Sequence, residues 1–371
     1  MSRQTRVLIL LEYATLNGGE HSLLSVLPEI SRHFEIRIAG PTQGDLARHL
    51  EELDVSLIPC NLPASQMSQV ERRQQLKQLI QRVKPDLIHA NSLSMSRLSG
   101  PICRDLGIPS LGHLRDMMRL SQTAASDVMA HSRLLAVSSA TRDWYRKANF
   151  PGEQIHVVHN GVDLLKFSPR SPSGFLHQEL GLAASTPLIG SIGQIGIRKG
   201  VDQLLETMAQ ISEPTPQLVL VGQRHSEKAE AIEYENQLHQ AANEQLAGRV
   251  HFLGRRDDVD QLLPEFTILA HFARQEPLGR VLLEAAASGC CIVATDVGGT
   301  SEIFPPTSGS AALFSPSRPS RAAEILQDLL HSARKREQMG EMARKRAHDV
   351  FGKQRAATHL MQHYHALTAE F

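Results

Sequence analysis

Aromatic residues make up only 4% of the chain, with a single Trp and 4 Tyr. That scarcity counts against the stacked aromatic platforms that hold carbohydrate chains or single-stranded nucleic acid. Cysteine is rare as well: Cys60, Cys103, Cys290 and Cys291 are the only four, and no two have C-x-x-C or metal-ligand spacing. A reducing compartment is therefore expected, with no disulfide framework. Long apolar runs are also missing. The opening run Val7 to Leu11 is too short for a signal-peptide core and has no small-residue cleavage site, and nothing approaches the ~20 residues of a membrane span. The expectation is a cytoplasmic protein that does not cross a membrane and at most touches its inner face. Nor is there an excess of charge: Lys and Arg number 39, as do Asp and Glu. Residues 1–150 hold 18 basic against 14 acidic residues and the remainder 21 against 25, which is no footprint for nucleic acid. The mild basic excess of the first half suits an anionic acceptor or lipid headgroups, and equally an ordinary solvated surface.

What is present is the composition of a globular protein, 41% apolar and 21% charged over 371 residues. That length exceeds what one hydrophobic core usually supports, so two domains are expected. Short apolar runs alternate with longer amphipathic stretches: VLILL at 7–11, IRIAG at 36–40, DLIHA at 86–90 and RLLAVSS at 133–139. The rhythm resumes with PLIGSIG at 187–193, QLVLVG at 217–222, VHFLG at 250–254, FTILAHFA at 266–273 and CIVATDVGG at 291–299. Runs apolar on both faces indicate parallel strands covered by helices, an α/β class. The Pro, Ser and Gly of FSPRSPSGF at 167–175 mark a linker between a domain at 1–168 and a second at 176–353. Leu360, Met361, Tyr364 and Leu367 recur at helical spacing, so 354–371 reads as a terminal helix whose apolar face needs a partner.

Three segments carry chemistry. In RQEPLGRVLLEAAASGCC, Glu276 and Glu284 are eight apart, and Pro277 is taken as the first residue of a helix. The amides of Leu278, Gly279 and Arg280 would then point from the helix end towards an anion. The two carboxylates would stand on either side of a bound diphosphate and grip hydroxyls of two sugars. In GSIGQIGIRKG, Gly190, Gly193 and Gly196 do not form G-x-G-x-x-G, so dinucleotide binding is poorly supported, but Lys199 and Arg198 can meet a diphosphate. After the first strand comes a loop with Asn17, Gly18, Gly19 and Glu20, then a helix with Leu23, Leu24 and Leu27 in apolar period, the paired glycines permitting close backbone approach and unusual φ. His359 and His363 are spaced i, i+4, yet no carboxylate or cysteine cluster joins them, so no metal is expected.

Together these segments resemble glycosyltransferase family 4 over nearly the whole chain. The family's Glu-x7-Glu element is similar to Glu276 to Glu284, its glycine pair to Gly18 and Gly19, and its Lys-Gly turn to Lys199 and Gly200. VVHNGVDLLKFSP at 157–169 resembles the stretch that ends the family's first lobe, with Asn160, Gly161 and Asp163 in place. The resemblance implies a GT-B fold, two Rossmann-like doubly wound domains facing a deep cleft, with the terminal helix returning to the first. It implies a retaining, metal-independent transferase with no cofactor beyond a nucleotide diphosphate sugar, UDP- or GDP-linked. The acceptor would be a glycan, a lipid-linked sugar or a small molecule, in keeping with polysaccharide biosynthesis; nucleic acid is not a partner. Glu276 would orient the sugar, Glu284 would hold the ribose, and backbone groups near Leu253, Gly254 and Arg255 would frame the base. Gln194 stands where the family usually has an arginine on the diphosphate, with Arg198 as a substitute. Acceptor choice would lie in loops such as 61–75 and 112–127. A first-lobe residue that reaches the transferred sugar, often a histidine, falls at Arg115, steadied by Asp116, or at His113 two residues earlier. A non-catalytic nucleotide-sugar-binding protein and a sugar-nucleotide epimerase or hydrolase are the alternatives; turnover without acceptor separates them.

Overall fold

The computed structural model describes residues 3–62 and 66–370. Residues 63–65 of the 61–75 loop, and Phe371 at the end of the expected terminal helix, lie outside the described residues, as do residues 1 and 2. The chain divides into two compact units, one running to Gly161 and resuming at Lys353, the other Val162–Gly352.

Among the described residues the first unit builds one parallel sheet from β1 (Arg6–Leu10), β2 (Glu35–Gly40), β3 (Leu57–Pro59), β4 (Leu87–Ala90), β5 (Ser110–Leu114), β6 (Arg133–Ala136) and β7 (Ile155–Val157). Their order is β3-β2-β1-β4-β5-β6-β7. Successive β1 side chains serve opposite cores. Val7 and Ile9 pack with Leu23 and Leu27 of the helix Gly18–Ile30, while Leu8 and Leu10 pack with Leu76, Ile80 and Ile102 on the other face. With both faces covered, Val7 to Leu10 of β1 are all buried, which is why that run shows no polar alternation. The terminal helix Lys353–Glu370 inserts Ala357, Leu360, Tyr364 and Leu367 into the first of these cores, where Tyr364 meets Phe34 edge-on with ring centroids 5.2 Å apart.

The second unit repeats the plan with β8 (Leu188–Ile192), β9 (Gln217–Val221), β10 (Val250–Phe252), β11 (Ile268–His271), β12 (Ile292–Thr295) and β13 (Ala312–Phe314), in the parallel order β10-β9-β8-β11-β12-β13. In each sheet the order reverses once, between β1 and β4 and between β8 and β11. The strand carboxyl ends at such a switch point are where open α/β sheets take ligands. The stretch 167–175 belongs to this second unit, and it is tied down: the amides of Ser173 and Gly174 donate to the buried Glu265 carboxylate at 2.6 and 3.1 Å. Cys290 and Cys291 are free and buried at the turn into β12. No helix among the described residues is long and apolar enough to cross a membrane.

Candidate functional site

In the second unit the chemistry gathers at the switch point. β8 ends at Ile192, and the chain turns at Gly193 into a 3-10 turn, Ile197–Lys199, ahead of the helix Val201–Ala209. Gly200 connects the two with φ +64°, and a Cβ there would lie 2.0 Å from the Phe272 carbonyl oxygen, so only glycine fits. Arg274, just past β11, clamps this turn: its amide donates to the Arg198 carbonyl at 2.8 Å, and its guanidinium donates to the Ile197 carbonyl at 2.7 Å and to Asp202 at 2.8 Å.

The clamp sets Lys199 Nζ 2.6 Å from Glu276 Oε2, and the same oxygen lies 2.9 Å from Nε2 of His271, the last residue of β11. Glu276 is only 6% exposed. Burial alone would raise its pKa, but Lys199 and His271 outweigh burial and hold the carboxyl well below the usual range. Burial pushes the His271 imidazole down, against the opposing pull of Glu276. An ionised carboxylate can only accept, so Nε2 carries the proton of a neutral ring. Both bonds fall on Oε2. Oε1 accepts none among the described residues and is open to a ligand hydroxyl.

The backbone of Glu276 is fixed by the turn after β12. The Gly299 amide donates to the Glu276 carbonyl at 2.9 Å, and Gly298, at φ +56°, passes so close that a Cβ would sit 1.9 Å from that oxygen. This packing corrects the helix start expected at Pro277. Pro277 and Leu278 run ahead of the helix, Gly279 turns the chain at φ +103°, and the helix is Arg280–Ala287. The amides of Leu278 and Gly279 nevertheless donate to no carbonyl among the described residues, which keeps the helix end suited to an anion. Glu284 lies one turn into this helix, buried, and accepts from Arg280 Nε at 2.7 Å.

Gln194 is exposed and borders a small cavity shared with Gly193, Lys199, Val221 and His271. Arg198 is near enough to His271 to oppose its protonation. The loop at Leu253, Gly254 and Arg255 is partly committed elsewhere. The Leu253 amide donates to Leu220 at 2.9 Å and the Gly254 carbonyl accepts from Gly222 at 2.8 Å, so these two groups serve the sheet end rather than a base. Arg255 pairs with Asp257 at 3.3 Å.

In the first unit the residues after β1, β4, β5 and β7 converge. Asn17 precedes the helix Gly18–Ile30, and its amide donates to Glu20 at 3.1 Å. Neither Gly18 nor Gly19 has a positive φ, so the expectation of unusual backbone is corrected. Gly19 is small for a different reason: a Cβ would lie 2.8 Å from Cδ of Arg115, while Gly18 has open space. Arg115 follows β5 and donates from Nε to the Asn91 carbonyl at 2.9 Å, from Nη2 to Asn91 Oδ1 at 2.7 Å and from Nη1 to Asn160 Oδ1 at 2.9 Å. Burial lowers its pKa to about 10, with Glu20 and Asp116 pulling the other way. The hydrogen bonds that steady Arg115 thus come from Asn91 and Asn160, not from Asp116, which acts on it through charge. His113 lies within β5 instead, buried, with Nδ1 3.2 Å from His89 Nε2; His89 Nδ1 is in turn 2.7 Å from the Tyr364 hydroxyl. Burial holds His113 well below its usual range and His89 at about 3. Arg115 therefore stands among the strand-end loops, and His113 in the core beneath them.

His271, Arg274 and Asn91 are absent from the sequence reading. Each is a polar residue at or just beyond the carboxyl end of a buried strand, and that position was the signal available. No group of three His, Cys, Asp or Glu suited to a metal occurs among the described residues.

Residues 16–165 match the family described as Glycosyltransferase Family 4, and residues 173–346 match Glycosyl transferases group 1. Spore coat protein SA of Bacillus subtilis is 29% identical over 218 residues, 56% of this chain and 58% of that protein. The GDP-mannose-dependent monoacylated alpha-(1-6)-phosphatidylinositol monomannoside mannosyltransferase of Corynebacterium glutamicum is 32% identical over 198 residues, 50% of this chain and 49% of that one. The chain thus spans about half the length of these curated relatives. The crystal structure of Anabaena HepE in complex with UDP-glucose superposes with a TM-score of 0.86 at 24% identity, covering 98% of this chain and 99% of that one, so the fold is shared.

Proposed function

The chain belongs to the glycosyltransferases of family 4, with the GT-B fold, and from that premise we propose that it is a retaining, metal-independent transferase. It moves a hexose-type sugar from a UDP- or GDP-linked donor to a glycan, lipid-linked or small-molecule acceptor. The observation that carries this reading is the Lys199, Glu276 and His271 cluster at the β8/β11 switch point, beside the open amides of Leu278 and Gly279. UDP-glucose in HepE and GDP-mannose in the name of the Corynebacterium enzyme support a donor of this class.

In this mechanism the sugar C1–O bond to the β-phosphate breaks with its electron pair staying on the phosphate, the acceptor hydroxyl oxygen bonds to C1, and the hydroxyl proton passes to the departing phosphate. Lys199 and the helix end at Leu278 and Gly279 stabilise that charge through groups already in place, which is usually the largest single contribution to such catalysis. Arg198 adds a second positive charge where Gln194 supplies none. Oε1 of Glu276 accepts from the sugar hydroxyls while His271 keeps the carboxylate turned. Glu284 takes the ribose. The acceptor falls to the first unit, around Arg115. The test is nucleotide release from UDP- and GDP-hexoses, with and without candidate acceptors and with EDTA present. Acceptor-dependent release that EDTA leaves unchanged and Glu276→Ala abolishes is the expected result. Isomerised donor without acceptor would make the protein an epimerase, and binding without turnover a binding protein.

A further inference from the structure

We propose that Asn91 is a positioning residue that holds Arg115 with its charge uncompensated, so that the guanidinium takes a phosphate group of a substrate. An arginine has five N–H donors. In Arg115 the Nε–H goes to Asn91, one N–H of Nη2 to Asn91 Oδ1 and one of Nη1 to Asn160 Oδ1, which leaves one N–H on each terminal nitrogen. Every acceptor is a neutral amide oxygen, and no carboxylate pairs with the guanidinium among the described residues. Glu20 and Asp116 supply attraction without contact.

Arg115 is half-buried, and a cation taken partly out of water is normally matched by a bonded anion, because its desolvation is otherwise uncompensated. Here the geometry matches its shape and leaves its charge. An aspartate at 91 would offer the same two kinds of oxygen to the guanidinium and cancel the charge. Asn91, 1% exposed, also donates from Nδ2 to the Gly19 carbonyl at 3.3 Å, a bond that requires the amide. Gly19 completes the seat, since any Cβ there would strike Arg115 Cδ. One N–H thus remains on each terminal nitrogen of a planar guanidinium, a group that can meet two oxygens of one phosphate.

What the phosphate belongs to rests on the transferase reading, which gives the first unit the acceptor: it is a phosphate on the acceptor. Binding itself is tested without any sugar transfer, by calorimetric titration of inorganic phosphate into the Lys199→Ala protein, which lacks the cation of the second unit. Adding Asn91→Asp, or independently Gly19→Ala, is expected to weaken the Lys199→Ala protein's phosphate affinity at least tenfold. Affinity unchanged by both additions, or no phosphate binding to the Lys199→Ala protein, would overturn the inference and leave the transferase reading standing. A nucleoside diphosphate titrated into Asn91→Asp alone then identifies the source. Wild-type binding is expected, and weakened binding would overturn the assignment to the acceptor.

Discussion

Among the described residues Glu276 carries two hydrogen bonds on one oxygen and none on the other, and the residues around it explain why that arrangement is rigid. Its backbone is trapped by Gly298 and Gly299 and its side chain by Lys199 and His271. Gly298→Ala places a methyl 1.9 Å from the Glu276 carbonyl oxygen at φ +56°. Strain of this kind costs about 1–3 kcal/mol, so denaturant unfolding should show a loss of that size, and turnover should fall with it. Glu276→Gln keeps an acceptor for His271 but removes the charge that pairs with Lys199; turnover should drop at least about a hundredfold while the unfolding midpoint moves little, as read by steady-state kinetics beside thermal melts. Glu276 and Lys199, which the structure brings together, were legible in the sequence because a carboxylate pair at fixed spacing and a Lys-Gly turn are local patterns; Glu284, read from the same spacing, meets Arg280 instead. His271 was not legible. Within FTILAHFA it reads as one more position of a buried strand; the loop that follows β11 returns Glu276 to it five residues on, and the pairing of β8 with β11 brings Lys199 to both. Gly19 was legible as a special residue but for the wrong reason, since the atom that requires it, Arg115 Cδ, is distant in sequence.

At the scale of elements, the strands that the apolar rhythm reveals are those covered on both faces. That rhythm does not reveal β3, β7 and β13, three-residue strands at sheet edges, nor β5, a central strand whose run SLGHL is interrupted by Gly112 and His113 although all five residues are buried. CIVATDVGG and VHFLG read as longer strands than they are because the glycines that turn the chain, Gly298 and Gly254, follow the apolar run without a break. The terminal helix is the clearest success of periodicity, as Leu360, Tyr364 and Leu367 are all buried against the first sheet's core. Leu360→Ala should cost about 2–5 kcal/mol, the usual range for a truncated core side chain, measurable by urea unfolding. Beneath that helix lie the buried His89 and, further along the sheet, His131, whose pKa values are pushed by burial to about 3 and about 4. Both stay neutral in the fold while their unfolded counterparts protonate near 6.5, so the unfolded chain binds more protons below that pH and stability falls as pH falls. Between pH 6.5 and 5 each contributes a loss of ~2 kcal/mol, and a melting temperature lower by about 10 °C at pH 5 than at pH 7 is expected. An unchanged melting temperature would show that these rings are hydrated.

For the whole molecule, two units repeat one plan of strand order, and each places its polar cluster at the carboxyl ends beside its own reversal point. The first gathers Gly19, Asn91, Arg115 and Asn160; the second gathers Lys199, His271 and Glu276. The difference in chemistry follows from the residues. The second cluster has an ionised carboxylate with an open oxygen beside free helix-end amides, which suits a sugar joined to a diphosphate. The first has a guanidinium whose bonded partners among the described residues are neutral amide oxygens. The most direct measurement is calorimetric titration of UDP, GDP, ADP, TDP and CDP into the wild-type protein and Lys199→Ala. One nucleoside diphosphate, UDP or GDP, should bind the wild type and lose at least tenfold in affinity in the variant. Absence of binding across the five, or equal binding by both proteins, would contradict the assignment of the donor to the Lys199 and Glu276 cluster.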